Sequence, residues 1–230
     1  MKIEIKMKEN NLSKVVQEFE EMIEEGPLHT LCAEKYNPCR KYQTILKPEE
    51  ITEFAEEISE VASKLRKEGN HYNIESDVGL FVSNLIQKSF NAGNNDFLIK
   101  NATGFHNLGD RLRGYPKRIQ LRAENSNLEN ALYQAIGVDL YIGEDCTGGT
   151  IGLAADYNCT YISANEGLLT SVKGGIKHGG NIFKIIGKDE EGNELLSRYT
   201  PYFDLEGTQR YNAAVSYEKN MKEYNEQKKK

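Results

Sequence analysis

Side chains able to do nucleophilic, acid–base or metal chemistry are sparse in this chain: four histidines and four cysteines in 230 residues. The stretch HTLCAEKYNPCRKY (29–42) sets His29, Cys32 and Cys39 at spacings of three and seven. Structural zinc takes four ligands, usually in pairs two to four residues apart. Only His29 and Cys32 make such a pair, so a fourth ligand has to come from His71, Cys146 or His178. The competing reading is a loop with two free thiols, and no metal or other cofactor is expected. In YIGEDCTGG (141–149), Glu144, Asp145, Cys146 and Thr147 follow directly on an apolar run, where a turn displays functional groups. Cys32 or Cys146 acts as a nucleophile only with a base beside it. The candidate catalytic set is therefore Asp145, Cys146, His106 and His178, set against a polar corner of a repeating structure.

Two further stretches have the composition of anion sites. SVKGGIKHGG (171–180) surrounds four glycines with Lys173, Lys177 and His178. A phosphate loop needs G-x-x-x-x-G-K-[ST] opening a helix, whereas these glycines run into the strand-like NIFKIIG. They are read as corner residues, with an anion nest as the alternative. GDRLRGYPKR (109–118) gathers Arg111, Arg113, Lys117 and Arg118 around Tyr115. That set suits an anionic ligand or an acidic partner surface, and equally a solvated basic face.

The elements that must position these groups change character near residue 92. Before it, apolar residues recur at three- and four-residue steps over 12–25 (Val15, Val16, Phe19, Met22, Ile23), 49–68 (Ile51, Phe54, Ala55, Ile58, Val61, Ala62, Leu65) and 76–90 (Val78, Phe81, Leu85, Phe90). Ser13 is placed to cap the first helix, Pro48 to open the second, and Gly26 and Gly69 to close them. KIEIKM near the start is an edge-strand candidate. After residue 92, five short runs follow (97–102, 118–123, 138–143, 159–164 and 181–186). Taking Ile99, Ile119, Leu140, Ile162 and Phe183 as their inward centres gives steps of 20, 21, 22 and 21. Glycines crowd the connectors. A period near 21 fits a β-solenoid, in which each coil buries its apolar row only by stacking on the next. Evenly spaced strands of a sandwich or barrel, or an α/β arrangement, are the alternatives. FKIIGKDEEGNELLSRY reads as a hairpin turning at Gly192-Asn193 that caps the last coil.

The expected class is thus α+β: an N-terminal helical unit (1–92) packed on a β-solenoid with hairpin cap (93–205), followed by a polar C-terminal tail (206–230).

The repeats GFHNLGDRLRGYPKRIQLRA and GLLTSVKGGIKHGGNIFKIIG resemble the glycine-rich solenoid repeats found in the C-terminal domain of the large subunit of glutamate synthase and in a formylmethanofuran dehydrogenase subunit. Gly104, Gly109 and Gly114 carry the likeness in the first repeat, and Gly167, Gly174, Gly175 and Gly179 in the last. It spans residues 97–187 and implies a right-handed solenoid serving as scaffold or inter-domain support, with no catalytic residue to transfer.

Composition narrows the classes further. A net charge of −6 argues against nucleic acid as partner. No apolar run reaches the roughly 18 residues of a membrane span, and the N-terminus lacks the apolar core of a signal peptide, so a cytoplasmic location with reduced cysteines is expected. The acidic helices stand against a basic stretch near 98–122, which suits docking within the chain or between copies. The functional expectation is a non-catalytic scaffold or accessory subunit of a cytoplasmic enzyme complex, whose partner is a protein or a second copy. The alternative is an enzyme or small-molecule or anion-binding protein with its site between helices and solenoid.

Overall fold

The computed structural model describes residues 10–25, 44–67, 74–104, 106–152, 159–172, 181–203 and 209–213. His29, Cys32, Cys39, His71, Lys173, Lys177, His178 and the glycines of 173–180 lie outside these residues, as does KIEIKM.

Three helices come first: α1 (Asn10–Glu25), α2 (Pro48–Lys67) and α3 (Ile74–Asn91). The first starts before Ser13, which therefore sits inside its opening turn instead of capping it. Their buried stripes meet at three rings. Phe19 stands edge-on to Phe54 and Phe81 at centroid distances of 6.2 and 5.2 Å, and Phe54 lies 5.7 Å from Phe81. Each ring hides apolar area in an offset or edge-to-face contact, the arrangement that aromatic quadrupoles favour.

From residue 96 the chain winds into stacked coils. Strands β1 (Asp96–Lys100), β2 (Ile119–Glu124), β3 (Val138–Ile142), β4 (Thr160–Ser163) and β5 (Asn181–Lys188) pair in sequence order, all parallel. A short helix, α4 (Glu166–Thr170), interrupts the connector between β4 and β5. Then β6 (Glu194–Phe203) returns antiparallel to β5 through a turn at 189–193, and β7 (Gln209–Ala213) pairs antiparallel with the far half of β6. This is a β-solenoid closed by a hairpin. β7 falls in the stretch whose composition reads as a polar tail. QRYNA has no apolar alternation in sequence, and its pairing with β6 is a backbone contact that composition does not announce.

The inward row runs Phe97, Leu121, Leu140, Tyr161 and Ile182. This corrects the expectation drawn from spacing in two ways. The first step of the row is longer, and the second shorter, than the two equal steps that follow. In addition, Ile162 and Phe183 do not face inward with Leu140. They share the opposite face of the sheet with Tyr141, where Ile162, Phe183 and Leu196 form a separate apolar cluster. A one-residue slip in phase exchanges the faces, and β4 gives no alternation to fix the phase because all four of its residues are buried.

The connectors stack as tightly as the strands. Bridges join Arg113 to Ile136, Asn127 to Thr147 and Ile151 to Val172. Backbone N–H groups of Asn107, Arg111, Asn130 and Gly152 donate to carbonyls of Glu129, Tyr133, Gly149 and Ala131 in the adjoining coil. Alternate residues here are left-handed: Asn107, Gly109 and Arg111 in one coil, Asn130, Leu132 and Gln134 in the next. Glycine is expected at such sites. At the matching positions the chain places Gly109 below Leu132, and a Cβ on Gly109 would stand 2.4 Å from Leu132 Cδ2. The leucine fills the room its neighbour leaves.

Helices α2 and α3 close the open end of the stack. Ser59 Oγ accepts from Gly104 N at 2.6 Å, and Ser83 Oγ accepts from Gly109 N at 2.7 Å. Thr52 Oγ1 donates to Leu98 O at 2.5 Å. The Gln87 amide imitates a neighbouring strand, accepting from Arg113 N at 2.7 Å and donating to Arg113 O at 3.2 Å. The approach is close enough that a Cβ on Gly79 would lie 1.5 Å from His106 O. A continuous apolar core runs from Leu12 of α1 through both helices into the coils as far as Tyr199.

Replacing a glycine inside a helix by alanine normally stabilises by about 1 kcal/mol. At Gly79 the sign should reverse, because the obstacle is backbone and cannot rotate away. Gly79→Ala is expected to cost about 1–3 kcal/mol, as for an overpacked core. Urea denaturation checks this, and equal or increased stability would show that helix and coil do not meet as described.

Candidate functional site

The outer face of the coils carries two polar arrangements, one structural and one open. In the structural one, Asp139 is almost fully buried, yet both carboxylate oxygens are satisfied. Arg118 donates to Oδ1 from Nε at 2.9 Å and Nη2 at 2.5 Å, and Gln120 Nε2 donates to Oδ2 at 2.5 Å. Arg118 Nη2 also reaches Thr160 Oγ1 at 3.1 Å, so one guanidinium ties coils together. Arg118 is thus no member of an exposed basic cluster, and its partner Asp139 is a residue that composition alone does not single out. The two stand one coil length apart in the sequence, and that coincidence with the repeat is the signal that joins them. Tyr141, beside this pair, has its phenol pushed well above the usual range, first by burial and then by the nearby Asp139 charge.

The open arrangement is a groove between α2 and the first strands. Pro48, Glu49, Thr52, Glu53 and Glu56 form its helical wall; Asp96, Leu98 and Lys100 of β1 and Arg122 of β2 form its floor, around a volume of about 640 Å³. It adjoins a smaller hollow of about 310 Å³ that shares Asp96 and Arg122 and adds Asn95, Gln120 and Tyr141. The guanidinium of Arg122 lies 5.7 Å from the centre of the Tyr141 ring, within the range of a cation–π contact. Lys100 Nζ lies 3.9 Å from Glu56 Oε2, and the other Glu56 oxygen accepts from Asn101 Nδ2 at 2.5 Å. No cation pairs with Glu49, Glu53 or Asp96 among the described residues. Crowding of like charge is felt along the helix: the Glu57 carboxyl is raised by burial and then by Glu53, Glu60 and Glu56. Sequence pattern does not locate this groove, because its wall and floor come from segments far apart in the chain.

The sequence candidates that fall within the described residues are not gathered here. Cys146 is buried at a corner of the third coil, its thiol donating to Ala123 O at 3.3 Å and raised by burial, while Asp145 beside it is exposed. Cys159, likewise buried, donates to Ala135 O at 3.5 Å, and burial pushes it to about 11. His106 lies on the first coil where that coil docks on α3, its ring 3.9 Å from Glu75 Oε2. Arg113 is exposed, but its guanidinium donates to the carbonyls of Leu112 and Gln134; Arg111 is exposed on the same connector. Among the described residues, no three His, Cys, Asp or Glu side chains gather as a metal site, and no helix is long and apolar enough to cross a membrane.

No protein-family model, curated protein or solved structure matches the chain.

One group that composition could not flag is Asp110. Its Oδ1 is buried without a hydrogen-bond partner among the described residues, and burial raises its pKa from 3.8 to about 6, against the opposing pull of Arg111 and Arg113. The folded chain therefore binds this proton more tightly than the unfolded chain does. Stability attributable to Asp110 should fall as pH rises from about 4 to about 6 and stay low above that. Asp110→Asn should remove this slope and exceed the parent in stability at pH 7. Urea denaturation of both proteins between pH 4.5 and 7.5 is the measurement, and parallel stability curves would refute the assignment.

Proposed function

We propose that the protein is a non-catalytic scaffold or accessory subunit of a cytoplasmic assembly, presenting the outer face of its sheet, with the groove beside α2, to a partner protein. The observation that carries this reading is the contrast between the two places where chemistry is available. Cys146 and Cys159 donate to carbonyls of neighbouring coils, whereas Glu49, Glu53 and Asp96 face an open groove. A buried thiol with a raised pKa is a poor nucleophile, since the thiolate is the reactive form. The likeness of the glycine-bearing repeats to solenoids that support other domains favours the same reading.

The alternative, an enzyme or anion-binding protein with a site between helices and solenoid, draws on the same groove. Among the described residues, Glu49, Glu53 and Asp96 outnumber its one cation without an ion pair, Arg122, so the lining is net negative and disfavours an anion, and Asp145, Cys146 and His106 form no part of it.

Two measurements on the folded chain test the proposal together. Iodoacetamide should alkylate Cys146 and Cys159 only as fast as the protein unfolds. A tagged wild-type chain should co-isolate a stoichiometric partner that Glu53→Lys/Asp96→Lys loses, with the thermal midpoint of that variant unchanged. Rapid alkylation of either thiol in the native state, or retention of the partner by the variant, would overturn it.

A further inference from the structure

Resting on the reading of the outer face as a docking surface, we infer that the occupant of the groove is a second copy of this chain, which inserts the exposed tip around Tyr115. The groove and the tip are complementary in charge. The groove lining holds four carboxylates, Glu49, Glu53, Glu56 and Asp96, against the two cations Lys100 and Arg122. Lys100 is already held by Glu56, so the charge left unmatched is negative. Its volume of about 640 Å³ is in the range of sites that enclose a compact ligand, and Leu98 gives its floor an apolar spot.

The tip has the opposite character. Tyr115 is 84% exposed, the most exposed of the large apolar or aromatic side chains among the described residues. Lys117 and Arg111, on the same connector between β1 and β2, are also exposed. An exposed tyrosine with exposed cations two and four residues away on the same connector has the composition of an interface anchor: tyrosine and arginine dominate binding energy where they become buried. Isolated exposed tyrosines are common on monomers, but this one shares its chain with an acidic groove that has room for it.

A contact between unlike patches of the same chain closes when two copies reciprocate it and extends when they do not. Both forms depend on the same charges, so both are tested by reversing them. Glu53→Lys/Asp96→Lys reverses the groove, and Arg111→Glu/Lys117→Glu reverses the tip. Sedimentation velocity at low ionic strength, where such contacts are least screened, should show the wild type self-associating and each variant alone monomeric. An equimolar mixture of the two variants should associate at least about tenfold more tightly than either does with itself, because each supplies what the other lacks. Tyr115→Ala, which alters no charge, should weaken wild-type association about tenfold or more, and circular dichroism should confirm that all variants are folded. A wild type that stays monomeric, or a mixture that associates no better than its components, would overturn the inference. If the wild type is monomeric while the groove variant still loses a co-isolated partner, the occupant is a different protein: the docking reading then stands and the second copy is refuted.

Discussion

A stack of parallel coils cannot end by itself. Each strand satisfies its backbone on the strand before and after, so the first coil offers a row of N–H and C=O groups with nothing beside them, the edge that folded proteins must cover. Here the cover is made of side chains from two helices. Thr52, Ser59, Ser83 and Gln87 stand at intervals that match the coil beneath them, and each takes up a backbone group of the first coil. The helices in turn gain a surface for their apolar stripes, which is why one core passes through both. At the far end the antiparallel return of β6 on β5 does the same work with backbone alone.

The groove follows from that arrangement. Because α2 lies along the edge of β1 and rises above its outer face, helix and sheet leave a trough with acidic residues on one bank. The ion pair of Arg118 with Asp139, two strands away, shows what the outer face looks like when its charges are matched: buried, multiply bonded and part of the stack. Glu49, Glu53 and Asp96 lack such partners within the described chain, and the difference separates a surface that holds the protein together from one available to something else.

Much of this was legible in the residues. Helical stripes, a change of period near residue 92, the spacing near 21 and a turn at Gly192-Asn193 all follow from apolar pattern and turn chemistry, because those depend on neighbours in sequence. The phase of the last two strands was not legible: Tyr161 looks like an outward residue and Ile162 like an inward one until the register with Leu140 is known. Glycines mark only some of the left-handed connector positions: Leu132 and Thr150 adopt the same conformation, and Leu132 N donates to Leu108 O of the adjoining coil, a contact no local pattern encodes. The groove was illegible for a related reason, since Glu53 and Asp96 meet only through the docking of α2 on β1. Its counterpart in the sequence was the contrast of acidic helix and basic loop, which names the ingredients without their place.

Unequal coils limit how such a protein can change in length. The first coil, from Phe97 to Leu121, is the longest and carries the corner that fits against α3, and the second, from Leu121 to Leu140, is the shortest. Neither is interchangeable with its neighbours. The third and fourth, from Leu140 to Tyr161 and from Tyr161 to Ile182, advance by equal lengths. A duplicated segment of one such length between β3 and β4 would leave both closed ends untouched while moving them further apart. The molecule is in this sense a ruler with fixed ends and one extensible division, and lineages that vary the distance between helices and hairpin would be expected to do so there.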